Sequence, residues 1–305
     1  MDQDGRLAGA RTLVTGAGGF LGAHVCRRLH EAGAEIRGVS RSRRTTPDFI
    51  RWSADDLTDL TAVRRLFDAA QPQFVFHLSG AVTAATAIDL VEPTFRSLLT
   101  STINILVAAA EFGRPRVIFA ASLEEPQELD GVPASPYAAA KAAAGAYGRM
   151  FTELYQVPVV GVRPFMTYGP AQPRGKILPQ VILSLLEGRA PRLGSGRRQV
   201  DWIYIDDVVQ GMMMAAVQPG IEGQTFDLGS GTLVTIREAV ETIARIMQPP
   251  VEPLFGALPD RPFEITRVAD VERTRRLLGW AATTSLEEGL TRTIDWYRSH
   301  GADAL

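Results

Sequence analysis

Short apolar runs rich in β-branched residues alternate with helical stretches along the first half of the chain. The runs predict strands at residues 12–15, 35–39, 74–78, 116–120 and 157–162. The stretches between them predict helices at residues 20–32, 61–70, 92–112 and 136–155. Such alternation is typical of a parallel sheet whose right-handed crossovers place helices on both faces.

Beyond Arg163 the pattern changes, because prolines and glycines become frequent and mark loops and short elements. We predict an α/β fold, namely a doubly wound parallel sheet of the Rossmann type with a smaller C-terminal substrate-binding lobe. The Rossmann domain is expected at residues 8–165, with returns near 200–248. The lobe is expected at residues 166–200 and 249–300.

The composition is that of an ordinary globular protein, with 46% hydrophobic and 22% charged residues among 305. A net charge of −2 gives no sign of a nucleic-acid or membrane partner. The N-terminus lacks the basic and apolar regions of a signal peptide, and no long apolar run predicts a membrane span, so a cytoplasmic location is expected. The four histidines lack metal-ligand spacing, so no metal site is predicted.

A glycine-rich segment separates the first predicted strand from the first predicted helix. It contains Gly16, Gly19 and Gly22, spaced three apart. The first glycine permits a tight turn, the second lets the backbone approach a pyrophosphate, and the third lets helix and strand pack closely. The N-terminus of the following helix offers N–H groups to phosphate. We therefore expect this segment to bind a dinucleotide cofactor.

The end of the second predicted strand bears on the choice of cofactor. NAD enzymes usually carry an acidic residue there to bind the ribose 2′-hydroxyl. This chain has Ser40, followed by Arg41, Arg43 and Arg44. Guanidinium groups suit a 2′-phosphate, so NADP(H) is favoured, with NAD(H) as the alternative. A solvated basic loop would explain the same residues without any cofactor contact.

Tyr137 and Lys141 are four apart in a predicted helix and therefore project from one face, one turn apart. A nearby ammonium lowers the pKa of a phenol, which can then exchange a proton with an alcohol or carbonyl oxygen. Ser122 follows the preceding strand, and its hydroxyl is expected to hydrogen-bond the same substrate oxygen unless it only caps a helix. Glu124 is either a second acid or base or an exposed loop carboxylate.

Several further segments occur in a fixed order: residues 15–22 (TGAGGFLG), 76–78 (FHL), 136–141 (PYAAAK), 163–170 (RPFMTYGP), 201–207 (DWIYIDD) and 278–280 (LGW). Together with Ser122, they resemble the extended short-chain dehydrogenase/reductases, specifically the nucleotide-sugar epimerase/dehydratase group. The resemblance runs from about residue 10 to residue 298. It implies the Rossmann fold and a nucleotide-sugar substrate.

The resemblance also implies roles for individual residues. Tyr137 would be the active-site base, Lys141 would also hold the nicotinamide ribose, and Ser122 would orient the substrate. Further cofactor contacts are predicted from Phe20, Leu21, Asp56, Leu57, Leu78, Ser79, Gly80 and Pro164; for Asp56 a plain turn is the alternative. Substrate contacts are predicted from Thr83, Lys176, Arg197 and Arg261. The family is often dimeric, so a homodimer through the helices at residues 92–112 and 136–155 is expected.

The chain departs from the group at positions that contact substrate. Leu123 stands where related dehydratases carry an aspartate, whereas the glutamate that accompanies it is kept as Glu124. Met166 replaces the usual asparagine, and Val200 replaces an arginine expected before Asp201. These changes affect the expected substrate contacts and leave the cofactor contacts in place.

The function expected from the sequence is NADPH-dependent reduction of a keto group on a nucleotide-linked deoxysugar. One alternative is a nucleotide-sugar 4-epimerase or 4,6-dehydratase that retains and recycles NAD(P). Another, from a different class, is a dinucleotide-sensing regulator without turnover. Such a regulator has no need for Tyr137, Lys141 and Ser122 together.

Overall fold

The strands and helices were located in a computed structural model, which describes residues 3–42, 44–80, 82–83, 85–128, 130–260 and 266–301. The strands are β1 (Arg11–Thr15), β2 (Glu35–Val39), β3 (Ile50–Ser53), β4 (Phe74–His77), β5 (Arg116–Ala120), β6 (Val159–Pro164), β7 (Met166–Tyr168), β8 (Gln199–Tyr204), β9 (Thr225–Leu228) and β10 (Leu233–Thr235).

The α-helices are α1 (Gln3–Leu7), α2 (Phe20–Glu31), α3 (Leu60–Ala70), α4 (Val91–Thr94), α5 (Ser101–Glu111), α6 (Pro136–Tyr155), α7 (Ile177–Leu186), α8 (Ile205–Val217), α9 (Ile236–Met247), α10 (Val271–Leu278) and α11 (Leu286–His300). A 3₁₀ turn at Ile88–Leu90 precedes α4, and a π-helical turn at Phe95–Thr100 joins α4 to α5. None of the helices among the described residues is long and apolar enough to cross a membrane.

Seven strands form the main sheet in the order β3-β2-β1-β4-β5-β6-β9. The five neighbouring pairs from β3 to β6 are parallel. The strand order reverses between β1 and β4, and ligands of such sheets bind beyond the carboxyl ends of the strands at this point. The predicted doubly wound parallel sheet is therefore confirmed.

Apolar side chains of the central strands form a core with the helices beside them. Leu13 of β1, Val75 of β4 and Val117 of β5 are almost fully buried in one cluster, together with Phe67 of α3 and Ile105 of α5. Strands that are covered on both faces carry near-continuous apolar sequence, as these do. This core fixes the strand ends that carry the residues of the candidate site.

A smaller sheet has the order β10-β8-β7, in which β7 is parallel and β10 antiparallel to β8. The chain divides into two compact units. One contains residues 1–163, 209–226 and 275–280, and the other contains residues 164–208, 227–274 and 281–305. The second unit thus includes α9, whose segment was assigned from the sequence to the Rossmann domain.

The predicted helix at 92–112 differs in detail from the structure. The segment is helical from Val91 to Glu111, but the π-helical turn interrupts the α-helical geometry. Inside that turn, Leu98 packs against Gly80, where a Cβ would collide with the leucine side chain. One extra residue in a turn rotates the next turn of the helix, and sequence periodicity does not reveal such an insertion.

Candidate active site

The glycine-rich loop follows β1 and leads into α2. Gly16 has a φ of 69°, in the left-handed region that favours glycine, and its N–H donates to the Val39 carbonyl at 3.1 Å. A Cβ on Gly22 would lie 2.8 Å from the Gly16 carbonyl carbon and 2.9 Å from Ala17 Cα. Both neighbours are backbone atoms, so any side chain at Gly22 would push the loop away from the helix.

The start of α2 is arranged to receive an anion. Gly19 is the N-cap, Phe20 and Leu21 are the first two helical residues, and among the described residues no side chain caps this end. The first N–H groups of a helix lack intrahelical partners and carry a partial positive charge. The loop therefore has the shape and the donors that fit the pyrophosphate of a dinucleotide.

Arg44 contacts this loop. The position that a Gly18 Cβ would occupy lies 2.5 Å from the Arg44 Cζ, which is also 5.8 Å from the centre of the Trp52 ring. Arg41 is exposed, and Arg43 lies outside the described residues. Ser40 follows β2, and its N–H donates to the Ser53 carbonyl at 3.1 Å. The sequence marks Arg44 only as part of the basic cluster, whereas in the structure its side chain lies against Gly18.

Asp56 and Leu57 belong to the turn before α3. Asp56 Oδ1 accepts from the Thr58 N–H at 2.9 Å and from its hydroxyl at 2.8 Å, and these bonds lower the pKa of Asp56. The Leu57 carbonyl accepts from the Asn104 amide at 2.9 Å. The alternative of a turn thus describes Asp56, and a contact with adenine stays a prediction.

A buried network of hydrogen-bonded polar side chains lies at the carboxyl ends of β1 and β4. His77 lies between the Thr15 hydroxyl at 2.9 Å and the Thr102 hydroxyl at 3.0 Å. Thr15 Oγ1 also accepts from the N–H groups of Leu78 at 3.2 Å and Ser79 at 3.3 Å. Burial lowers the pKa of His77 to about 3, helped by the Lys141 charge, so its ring is neutral at physiological pH. The network fixes the backbone that leads into Gly80.

Helix α6 carries the tyrosine and the lysine. Its N-cap is Ser135, whose side chain accepts from the Ala138 N–H at 3.1 Å, and Pro136 occupies the first turn. Tyr137 and Lys141 are both buried, with the Lys141 Nζ 5.9 Å from the centre of the Tyr137 ring. Nζ donates to the Ala120 carbonyl at 2.7 Å, which ties α6 to the end of β5.

Ser122 completes the constellation two residues after β5. Its side chain hydrogen-bonds the Tyr137 phenol, and its Oγ accepts from the Glu124 N–H at 3.2 Å. The structure therefore brings together three residues that the sequence selected as the proton-transfer site. Ser122 is buried here, and Glu124 is half-buried rather than exposed.

Burial dominates the electrostatics of this site. It raises the pKa of Tyr137 to about 12; the Ser122 hydrogen bond opposes this increase, whereas the charges of Glu124 and Glu125 add to it. Burial also lowers the pKa of Lys141 to about 8, against the opposing effect of Glu125. The phenol is therefore protonated at neutral pH, and it becomes a base only when its surroundings stabilise the phenolate further.

Two charged residues beside Ser122 were not selected from the sequence. Glu125 Oε1 accepts from the Ser122 N–H at 2.6 Å, and Arg163 Nε donates to the Ser122 carbonyl at 3.1 Å. Their sequence signal was weak, because Glu125 follows another glutamate and Arg163 was noted only within a family motif. An arginine that ends an apolar strand requires a buried counter-charge, and this requirement would have pointed to an acid nearby.

The remaining predicted residues lie elsewhere. Pro164 ends β6, and the Thr83 hydroxyl accepts from the Ala85 N–H at 3.1 Å. Lys176 is the exposed N-cap of α7, and the exposed Arg197 donates its N–H to Ser195 Oγ at 3.3 Å; both belong to the second unit. Arg261 lies outside the described residues.

Comparison with known proteins gives consistent results. The model of the NAD dependent epimerase/dehydratase family matches residues 12–229. A UDP-glucose 4-epimerase of Mycolicibacterium smegmatis is 31% identical over 95% of this chain and 99% of its own length. A dTDP-glucose 4,6-dehydratase of Neisseria gonorrhoeae is 27% identical over 93% of this chain and 94% of its own.

Solved structures with the same fold are also similar. The Bordetella bronchiseptica enzyme WbmF, in complex with NADH, has a TM-score of 0.83 at 26% identity, covering 97% of this chain and 94% of its own. A Thermotoga maritima UDP-glucose 4-epimerase has a TM-score of 0.86 at 24% identity, covering 94% of this chain and 98% of its own.

Proposed function

Because this chain belongs to the NAD dependent epimerase/dehydratase family, we propose that it is a nucleotide-sugar 4-epimerase that retains NAD between turnovers. The observation that carries the proposal is the buried group of Ser122, Tyr137 and Lys141 at the carboxyl end of β5. The similarity to a UDP-glucose 4-epimerase over almost the whole of both chains supports it. This proposal replaces the NADPH-dependent reductase that the sequence favoured.

The residues of the first unit fit a dinucleotide. The backbone at Gly22 lies so close to Gly16 that a single Cβ would fill the space between them. The uncapped N-terminus of α2 provides N–H donors for the pyrophosphate. When bound, NAD supplies the hydride acceptor for C4 of the sugar and, once reduced, the hydride donor to the same carbon. Lys141 would hold the nicotinamide ribose, as the family resemblance implies.

Tyr137 performs the proton transfer in this proposal. Its phenolate takes the proton of the C4 hydroxyl as the carbon is oxidised, and its phenol returns that proton when the ketone is reduced on the other face. Ser122 donates a hydrogen bond to the same oxygen. The Lys141 ammonium would stabilise the phenolate through its charge and so oppose the burial that raises the pKa of Tyr137.

Dehydration is the weaker alternative within the family. Elimination of water needs an acid at the leaving hydroxyl and a base at the neighbouring carbon. Leu123 provides neither, although Glu124 is near enough to Tyr137 for its charge to raise the pKa of the phenol. Epimerisation requires only the tyrosine, the serine and the lysine, all of which are in place.

Reduction by NADPH is a second candidate, and one observation favours it. Arg44 lies against the glycine-rich loop, and a guanidinium suits the 2′-phosphate of NADP. NADH and NAD⁺ are bound in the structures of WbmF, which is 26% identical to this chain. NAD is therefore the cofactor we propose, and NADP(H) belongs to the second candidate.

The substrate proposed is a UDP- or dTDP-linked hexose, because the relatives carry these names. Lys176, Arg197 and Arg261 would contact its diphosphate, and Thr83 its sugar. We also propose a homodimer whose interface is formed by the helical segment from α4 to α5 together with α6. The apolar side chains of Phe95, Tyr147 and Leu154 are exposed on these helices.

The test is to denature the purified protein, identify the nucleotide that it releases, and incubate the native protein with UDP- and dTDP-hexoses without added cofactor. The proposal expects NAD(H) and the 4-epimer of one hexose. A 4-keto-6-deoxy product would assign the dehydratase instead. Oxidation of added NADPH by a nucleotide-linked keto sugar, without any epimer, would assign the reductase.

A further inference from the structure

Glu125 and Arg163 form an ion pair beneath Ser122. Arg163 NH2 lies 3.2 Å from Glu125 Oε2, and the two side chains are only 15% and 10% exposed. Charged side chains are rarely buried this far unless paired, because removing each charge from water costs several kcal/mol. Arg163 is the last residue but one of the apolar strand β6, and Glu125 lies in the loop after β5, so the pair joins β5 and β6 where the candidate site is built.

The pair holds Ser122 from both sides of its backbone. Glu125 Oε1 accepts the Ser122 N–H at 2.6 Å, and Arg163 Nε donates to the Ser122 carbonyl at 3.1 Å. Hydrogen bonds to charged groups are stronger than those between neutral groups. Ser122 sits in a loop rather than in a helix or strand, so these contacts set the direction of its hydroxyl toward Tyr137.

Glu125 also acts on the site through its charge. The charges of Glu124 and Glu125 raise the pKa of Tyr137, and the charge of Glu125 raises that of Lys141. Burial and the Lys141 charge lower the pKa of His77 and keep its ring neutral. The Glu125 charge raises the pKa of Lys141 and so opposes the effect of burial. Glu125 therefore favours the ammonium form of the lysine next to the phenol.

We propose that Glu125 is a positioning residue, which together with Arg163 fixes the backbone of Ser122 and so aims its hydroxyl at Tyr137; the effect of its charge on the buried Lys141 provides the readout. The proposal rests on the proposed function only in its assignment of Tyr137 as the acid–base group. Glu125 does not touch the sugar in this scheme. It acts through Ser122, which hydrogen-bonds the C4 oxygen of the sugar, and through Lys141, which stabilises the Tyr137 phenolate.

The chain offers a direct measurement, because lysine occurs only at positions 141 and 176. Protein labelled with ¹³C at lysine Cε gives one NMR signal from each lysine, and a Lys176→Arg variant assigns them. In Glu125→Gln the amide oxygen still accepts the Ser122 N–H, whereas the charge, and with it the ion pair with Arg163, is lost. The control is Glu128→Gln, an exposed glutamate in the same loop.

The wild-type Lys141 signal is expected to titrate with a pKa of about 8. In Glu125→Gln the midpoint should fall by about one pH unit, as expected when a nearby opposite charge is removed. In Glu128→Gln it should not move. An unchanged midpoint in Glu125→Gln, or an equal fall in both variants, overturns the proposal. This titration needs no substrate, so its outcome is independent of whether the protein is an epimerase.

A second variant covers the case in which Glu125→Gln leaves Arg163 buried without a counter-charge and does not fold. The double variant Glu125→Gln/Arg163→Met removes both charges and keeps similar volume, and exchanges of this kind are often tolerated. Its Lys141 midpoint should also lie below that of wild type, and its kcat should fall more than its KM changes. A wild-type midpoint and wild-type kcat in the double variant would overturn the proposal.

Discussion

At the residue scale, the phenolic oxygen of Tyr137 is the atom on which the proposed chemistry depends. Tyr137→Phe keeps the buried ring and removes the oxygen that hydrogen-bonds Ser122. We expect turnover to fall by about 10²–10⁴-fold, the usual contribution of a general acid–base group, while NAD affinity changes by no more than a few-fold. Steady-state kinetics and cofactor titration measure the two effects. Turnover at the wild-type rate would remove Tyr137 from the mechanism.

Because its ammonium group is buried, Lys141 should reduce the stability of the folded protein. Burial lowers the pKa of Lys141 from its ordinary value of 10.5 to about 8 in the folded protein, so the unfolded chain binds more protons between these values. Stability relative to Lys141→Met should therefore rise with pH through this window, by roughly 3 kcal/mol in all. Below pH 8 the full penalty applies. Urea unfolding of both proteins from pH 7 to pH 10.5 measures the difference, and a difference independent of pH would contradict it.

The sequence was informative about these residues because a helix fixes the spacing of side chains on its face. The separation of Tyr137 and Lys141 and their position after a predicted strand select them, and both lie in α6. Glu125 and Arg44 were not selected, because each lies in a loop whose path depends on tertiary contacts. In the run Glu124-Glu125, no periodicity shows which carboxylate turns toward Ser122.

At the element scale, the turn between β1 and α2 tolerates no side chain at Gly22. A Cβ there would meet the backbone of Gly16 and Ala17, which cannot rotate away. Gly22→Ala should lower the free energy of unfolding by about 1–3 kcal/mol, as overpacking does, and should abolish cofactor binding. The matched control is Gly175→Ala, where nothing lies within 4 Å of the new Cβ.

Thermal unfolding with and without NAD tests this prediction. The control variant should show the wild-type increase in midpoint on adding NAD, since a ligand that binds only the folded state stabilises it. Gly22→Ala should show none. If Gly22→Ala binds NAD as wild type does, the loop is not the pyrophosphate site.

The N-cap of α6 allows a second prediction at this scale. Ser135 accepts the Ala138 N–H at the start of the helix that carries Tyr137 and Lys141. Ser135→Ala should cost about 1 kcal/mol of stability, the usual value for a lost N-cap. Ser135→Asp should retain most of it, because aspartate also accepts this hydrogen bond. Denaturant unfolding of the three proteins checks the order, and equal stability of the alanine variant would contradict it.

The positions of most elements could be predicted from apolar periodicity, but two features could not. The short strand β3 was not identified by its own pattern, although it extends the main sheet beside β2. The π-helical turn at Phe95–Thr100 was expected as regular helix. Within this turn, Leu98 and Leu99 pack in one cluster with Tyr137 of α6, a contact between segments distant in sequence.

At the scale of the whole molecule, strict alternation of strands and helices was sufficient to predict the parallel sheet. The division beyond residue 163 was harder to predict, because short strands such as β7 and β10 pair with β8 across long separations. The function was harder to predict than the fold. Arginines near a strand end suggested NADPH and reduction, whereas relatives over nearly the full chain are epimerases and dehydratases.

The proposed homodimer gives a prediction for the assembled molecule. Phe95 and Leu154 are 51% and 65% exposed on the helices of the proposed interface. Phe95→Asp/Leu154→Asp should convert the dimer to a monomer, because charges are depleted at the centre of such interfaces. Val132→Asp, at a 90% exposed position outside these helices, should remain dimeric. Sedimentation of wild type and of the two variants distinguishes dimer from monomer. A wild-type protein that sediments as a monomer would contradict the proposal.

The central claim is that the protein inverts C4 of a nucleotide-linked hexose with a cofactor it retains. The most direct test is incubation with UDP-glucose deuterated at C4, without added cofactor, followed by mass spectrometry and NMR of the product. The account predicts a 4-epimer that keeps its deuterium at C4, because the hydrogen is removed and returned within one active site. No epimer, together with oxidation of added NADPH by a nucleotide-linked 4-keto sugar, would contradict it.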